Sequence, residues 1–178
     1  MSEQAPGELE LVRAFVNTRE IELGTDDLDS PRALRDWLAD RGLLAPAAPA
    51  PGGRDLDHAL ALREALRAAM RANHDDGVDE RASAELERAA RRAQLSVRFA
   101  PGARVEPLAD GVDGALGALL ARVAEAMADG TWRRLKACTA DDCQWAFYDS
   151  SRNRSGVWCT MRTCGNRAKV RSYRARQG

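Results

Sequence analysis

No cysteine occurs in the first 137 residues of this 178-residue chain, and only two histidines, His58 and His74, occur anywhere in it. Both fall on or just past the end of a predicted helix and read as surface or capping residues. No glycine-rich phosphate loop and no nucleophile elbow is present, so nucleotide hydrolysis and nucleophilic catalysis lack their usual groups and no enzyme is expected. No apolar run approaches the ~20 residues that span a bilayer, so no membrane protein is expected. The opening MSEQAPGELELVRAFVN lacks a basic region followed by an apolar core. A secretory signal is therefore not expected, and the expected compartment is the cytoplasm.

Acids are scarce too, but only at one end. Residues 131–178 carry eleven cations (Arg133, Arg134, Lys136, Arg152, Arg154, Arg162, Arg167, Lys169, Arg171, Arg174 and Arg176) against Asp141, Asp142 and Asp149, a balance of +8. Residues 1–130 hold 16 cations and 24 acids, a balance of −8, so the formal net charge of zero hides two opposed units. Opposite-sign halves suggest a basic domain for a polyanion beside a domain with another job.

The acidic part reads as mostly helical. In DSPRALRDWLADRGLL, Ser30 is a predicted N-cap and Pro31 opens the helix, Leu34, Trp37 and Leu38 share a face, and Gly42 is the stop. The APAAPAPGG stretch, Ala45 to Gly53, reads as an extended linker. Apolar spacing then predicts a helix from Asp55 to about Asn73. A second helix, capped by Asp79, buries Ala82, Leu86, Ala89, Ala90 and Ala93. Alternating Leu95, Val97 and Phe99, with a Pro101-Gly102 turn before Val105 and Leu108, predict a β-hairpin. A last helix with Val112, Leu116, Leu119, Leu120, Val123 and Met127 inward ends at Gly130.

All four cysteines, Cys138, Cys143, Cys159 and Cys164, lie in the basic part at the spacing C-x4-C-x15-C-x4-C. Each short loop brings two thiolates to one side, and four thiolates suit a closed tetrahedral zinc site. An iron–sulfur cluster and reduced buried cysteines are the alternatives. About 48 residues with few aliphatics build little core, so a metal staple is expected. Between the pairs, Trp145, Phe147 and Tyr148 read as a strand, Ser150 to Gly156 as a polar turn, and Val157-Trp158 as the returning arm of a hairpin. After Cys164 a helix is predicted, with Arg167, Arg171 and Arg174 on one face, Lys169 and Arg176 on its flank, and Val170 and Tyr173 packed back on the hairpin.

The run RLKACTADDCQWAFYDSSRNRSGVWCTMRTCGNRAKVRSYRAR resembles the CGNR zinc finger family, named for the residues seen here as Cys164, Gly165, Asn166 and Arg167. AFVNTRE, followed by SPRALRDWLADRGLL, resembles the ABATE-type domain, described as a "putative stress-induced transcription regulator". The resemblance implies one structural zinc on Cys138, Cys143, Cys159 and Cys164, and a DNA-binding role in a bacterial regulator.

The expected architecture is α+β. A mostly α-helical N-terminal regulatory or sensor domain with one β-hairpin, residues 1–130, precedes a small four-cysteine, zinc-stapled hairpin-plus-helix module, treble-clef-like or ribbon-like, at 131–178. Candidate DNA contacts are Arg152, Asn153, Arg154, Asn166, Arg167, Lys169, Arg171 and Arg174, and double-stranded DNA is the expected partner. Asn17 and Thr18 are candidates for a small-molecule effector site, with capping of the first helix as the alternative. A homodimer is compatible with this reading. A protein-interaction adaptor docking its cations on an acidic partner, or on the chain's own acidic domain, is a rival. RNA binding with Trp145, Phe147 and Trp158 as stacking faces is another.

Overall fold

The computed structural model describes residues 4–99 and 101–176; residues 1–3, part of the segment read for a signal, position 100 in the expected hairpin turn, and residues 177–178 lie outside the described residues. Helix boundaries follow the local chemistry. Ser30 Oγ accepts from the Ala33 amide at 3.2 Å to open α2 (Pro31–Asp40), and Gly42 takes a φ of +66° just beyond it. Asp79 accepts from the Ala82 amide at 2.9 Å to open α4 (Glu80–Arg92). Side-chain caps of this kind satisfy amides that the first turn leaves unpaired. α1 (Leu9–Val16) ends at Asn17, α3 (Gly53–Ala72) at Asn73, and α5 (Gly111–Asp129) at the left-handed Gly130.

Leu62, Leu66 and Met70 of α3 share one apolar cluster with Leu116, Leu119 and Leu120 of α5, and with Phe15 and Trp37, whose rings lie 5.3 Å apart. The expected hairpin forms between β3 (Leu95–Arg98) and β4 (Arg104–Pro107), antiparallel with Val97 opposite Val105. Only its base is packed. Val97 and Phe99 are exposed, as is Leu108 just after β4. A second, two-residue ladder joins β1 (Arg19–Glu20) to β2 (Thr25–Asp26); it is too short to leave an alternating signature. Met127, expected inward, is half exposed in the last turn of α5, at the mouth of an open cleft of about 290 Å³ shared with Leu86 and Trp132. His58 is not a surface residue: its side chain is buried with Nδ1 3.2 Å from Asp113, which Arg92 also pairs. Burial first, and then Arg92, hold its pKa below the ordinary value.

After a 3-10 turn at Thr131–Arg134, β5 (Leu135–Ala137) pairs antiparallel with β6 (Ala146–Tyr148). A π-helical turn at Met161–Gly165 then leads into α6 (Asn166–Ala175). The fold is thus α+β, a mostly helical N-terminal region with small hairpins followed by a hairpin-plus-helix module. Among the described residues no helix is long and apolar enough to cross a membrane.

The charge balance changes sign near residue 130, but the core continues across it. Trp132, Leu135, Ala137 and Ala146 belong to the same buried cluster as Phe15, Leu66 and Leu119. Polar side chains stitch the same seam. Asn17 binds Ala146 in both directions, donating to its carbonyl at 2.9 Å and accepting from its amide at 2.7 Å. Asn73 donates to the carbonyls of Trp132 and Leu135 at 2.9 and 2.8 Å, and His74 Nε2 lies 2.7 Å from the Ala137 carbonyl. The buried Arg67 donates to the carbonyls of Val16 and Gln144. A helix end and a strand edge each leave backbone groups that need partners, and here they are satisfied across the charge boundary.

Trp132→Ala should therefore destabilise the N-terminal helices by about 3–5 kcal/mol, the usual range for emptying a buried aromatic site. Denaturant unfolding followed by helical circular dichroism measures this. A midpoint equal to wild type would mean that the helical core does not extend past residue 130.

Candidate metal centre

Cys138 follows β5 and Cys143 precedes β6, so the first pair sits on the turn of that hairpin. The turn is tight: the amides of Cys143 and Gln144 both donate to the Ala140 carbonyl, and Gln144 adopts a φ of +50°. The Cys138 amide donates to the Trp145 carbonyl at 2.9 Å, closing the ladder. The second pair brackets a helical turn, with Cys159 just before it and Cys164 within it. Thr160 caps the turn through a 3.2 Å bond from the Thr163 amide, and Cys164 lies buried at its end. One pair on a hairpin turn and one at a helix start is the treble-clef-like alternative rather than a ribbon of two hairpins.

The hairpin expected between the two cysteine pairs is absent. β6 pairs backward with β5, across the first pair, and Val157 instead offers its carbonyl to the amide and hydroxyl of Thr139, each at 3.1 Å. The reason lies in a buried ion pair. Lys136 of β5 and Asp149 just after β6 are both nearly inaccessible and meet at 3.0 Å. Lys136 Nζ also donates to the carbonyls of Arg154 and Gly156, and Asp149 accepts from the Ser151 and Gly156 amides at 3.0 and 2.8 Å. The polar turn is wound around these two charges. Gly156 has no room for a side chain, since a Cβ would meet the Asp149 carboxyl at 2.9 Å. Burial would raise the Asp149 pKa, but bonds from Ser151, Lys136 and Gly156 overcome it and hold the value at about 2.

The four Sγ atoms lie within 4.8 Å of one another, with Cys143–Cys159 at 3.6 Å and Cys159–Cys164 at 3.7 Å. Disulfides need ~2.05 Å and are excluded at these two separations. A tetrahedral zinc with bonds of ~2.3 Å places its sulfurs roughly 3.8 Å apart, so the donor set fits this ion in geometry and in chemistry. Thiols at such distances share protons. Hydrogen bonds from Cys143 and Cys159 pull the Cys138 pKa down, and the same bonds push Cys143 up to about 12 and raise Cys159. Backbone amides of Ala140 and Cys159 also point at Cys138, and that of Trp145 at Cys143. Amides aimed at the sulfurs favour the thiolate form, which is the form that ligates a metal.

Cys164 and Gly165 form the corner into α6. A Cβ on Gly165 would stand 2.9 Å from Met161 Sδ, the end of an exposed side chain, and 3.3 Å from the Trp158 ring, so the corner is closely packed. Beyond the corner, α6 buries nothing. Asn166, Lys169, Arg171, Arg174 and Arg176 are exposed, and so are Val170 and Tyr173, which were expected to pack back on the hairpin; Cys164 and Arg167 anchor the start of the helix. Arg152, Asn153 and Arg154 are exposed on the polar turn, Arg154 with a φ of +51°. Arg167 differs from its neighbours: its guanidinium is bonded to Glu22 and to Cys164 Sγ.

Asn17 and Thr18 are placed at the seam. Asn17 is committed to Ala146, while Thr18 Oγ1 donates to the Phe15 carbonyl and accepts from the buried Arg63 at 3.1 Å. Phe147 is buried beside His74, and Trp145 and Trp158 pack against the cysteine cluster. Sequence reasoning missed Lys136, Asp149, Asn73 and Glu22. Only Asp149 left a local signal, since Asp-Ser-Ser after a strand is the composition of an Asx-turn.

Asp149→Asn should cost about 3–5 kcal/mol at neutral pH, because it strands the buried Lys136 ammonium without its counter-charge. A carboxyl with a depressed pKa stabilises the fold above its ordinary value of 3.8, and that contribution is lost as pH falls toward about 2. The gap between wild type and variant should therefore be full at neutral pH and narrow across that window. Unfolding midpoints over a pH series measure it; a variant as stable as wild type at pH 7 contradicts the ion pair's role.

Comparison with known families adds what geometry alone does not. Residues 134–177 match the CGNR zinc finger, and residues 9–130 match ABATE, described as "Putative stress-induced transcription regulator". No curated protein matches the chain. With the zinc-finger match and the clustered sulfurs together, Cys138, Cys143, Cys159 and Cys164 hold one structural zinc. The chain belongs to the ABATE family and carries a C-terminal CGNR zinc finger.

Proposed function

We propose that this protein regulates transcription by binding double-stranded DNA through its zinc module. The observation that supports this most is α6: a ten-residue helix fixed at one end to a zinc ligand, with no buried residue and no acid, carrying Lys169, Arg171 and Arg174 outward. A helix is about as wide as the major groove of B-DNA, and a rigid row of cations displaces condensed counterions from phosphates. Arg152 and Asn153 supply further donors from the polar turn. Asn166, exposed at the first turn, is the candidate for a base edge. Zinc here is structural, and the role is binding rather than catalysis.

The adaptor reading has one observation in its favour. The basic module does dock on the chain's own acidic part, through Arg167 with Glu22 and through Arg133 and Arg154 with Asp76 at 3.3 and 3.9 Å. These contacts involve the module's near side, however. Lys169 and Arg174 are exposed, with no acid paired to them among the described residues, and the DNA reading gives them a use.

Fluorescence anisotropy on duplex DNA over a salt series tests this. With about four phosphate contacts, log affinity should fall against log salt with a slope of roughly −3 to −5, and Arg171→Ala or Arg174→Ala should each flatten it by about one unit. Identical slopes for wild type and a Lys169, Arg171, Arg174 triple alanine variant would show that α6 does not meet DNA.

A further inference from the structure

Arg167 is the cation of the CGNR segment that faces inward. Its two terminal nitrogens form a fork on the Glu22 carboxylate at 2.8 and 2.9 Å, and Nη2 also lies 3.3 Å from Cys164 Sγ. Asp142 stands 3.7 Å from Nη1. Glu22 belongs to the β1–β2 turn, 145 residues earlier in the chain. Cys164 and Arg167 are three apart on a helical path, so their side chains lie on one face and the contact follows from the motif's own spacing.

Four thiolates around a divalent ion carry a net charge of roughly −2, which a half-dry site must offset. Backbone amides point at the first pair of sulfurs. At Cys164 the donor is a guanidinium, which brings a full positive charge as well as a hydrogen bond. Its direction is not left to a flexible side chain: the planar fork seats both terminal nitrogens on one carboxylate, which fixes where the remaining N–H points.

We propose that Arg167 is a positioning residue of the metal centre, and that Glu22 is the residue through which the N-terminal region holds it there. Arg167 donates to the Cys164 thiolate and tempers its charge. Glu22 orients that donor and ties the β1–β2 turn to the zinc. The motif's arginine therefore serves the zinc rather than a phosphate. Whatever displaces the β1–β2 turn loosens the grip on Cys164. Arg171, one turn further on and 3.9 Å from the same Asp142, lies too far along the helix to replace it.

The test uses the full zinc-loaded chain and a chromophoric chelator that reports zinc release. Arg167→Ala should speed release by about 10-fold to 100-fold, the usual effect of removing an outer-sphere partner, and Glu22→Gln should speed it by a smaller factor in the same direction. Arg167→Lys, which keeps the charge but loses the fork, should fall between, and Arg171→Ala should leave the rate unchanged. In the cobalt-substituted protein, Arg167→Ala should move the thiolate-to-cobalt charge-transfer band to lower energy, because a sulfur without its donor gives up electrons more readily. A merely structural role would not move that band. Wild-type release rates together with an unmoved band overturn the proposal. The DNA reading fails separately: at saturating zinc, Arg167→Ala should keep the wild-type salt slope, and a slope flattened by one unit would make Arg167 a phosphate contact instead. Release kinetics and band position remain decisive even if no DNA binds.

Discussion

Leu135, Ala137 and Ala146 are buried among Phe15, Leu66 and Leu119, while the loop that joins their strands carries Cys138 and Cys143. One hairpin thus closes the helical core on one side and forms half of a zinc site on the other. Hairpins of three residues a side have little stability of their own. This one persists because it is held along its strands by apolar packing and the Asn17, Asn73 and His74 bonds, and at its tip by metal. Zinc binding and folding of the module are then the same free energy, as in other small metal-stapled units. Through the shared strands, part of that energy reaches the helices.

Electrostatics follow the same division. The basic segment's +8 is not all presented to solvent. Lys136 is neutralised inside the module by Asp149, Arg167 is bonded to Glu22, and Arg133 and Arg154 lean on Asp76. The acidic N-terminal part thereby docks the module's near face. What faces outward is a narrower set on α6 and on the tip of the polar turn. An exposed helix with no acid of its own, rooted in a metal ligand, is a stiff presentation of charge, and stiffness lowers the entropy lost when such a helix meets a partner.

Local punctuation was readable in the sequence: Ser30, Gly42, Asp79 and Gly130 each act where their chemistry demands, and the cysteine spacing marked all four metal ligands. Contacts made by one polar side chain to a distant backbone were not readable. Asn17 and Thr18 do cap the end of α1, the alternative the sequence offered, but nothing in AFVNTRE reveals that Ala146, far along the chain, needs a donor and an acceptor. His74 and Asn73 are hidden for the same reason. The pairing of β6 was misjudged because aromatics on either side of a polar turn imitate a hairpin, and only the Lys136–Asp149 pair shows why the chain folds back on β5 instead. Exposed Val170 and Tyr173 show the opposite error, in which apolar character was taken for packing.

Hydrogen–deuterium exchange of the zinc-loaded chain, before and after chelation, tests most directly whether the metal site and the helical region are one unit. Removal of zinc should raise exchange not only through residues 135–148 but also around residues 13–18 and 70–75, where α1 and α3 end against the hairpin. Increased exchange confined to residues 138–176, with both helix ends as protected as before, would contradict the shared-hairpin account.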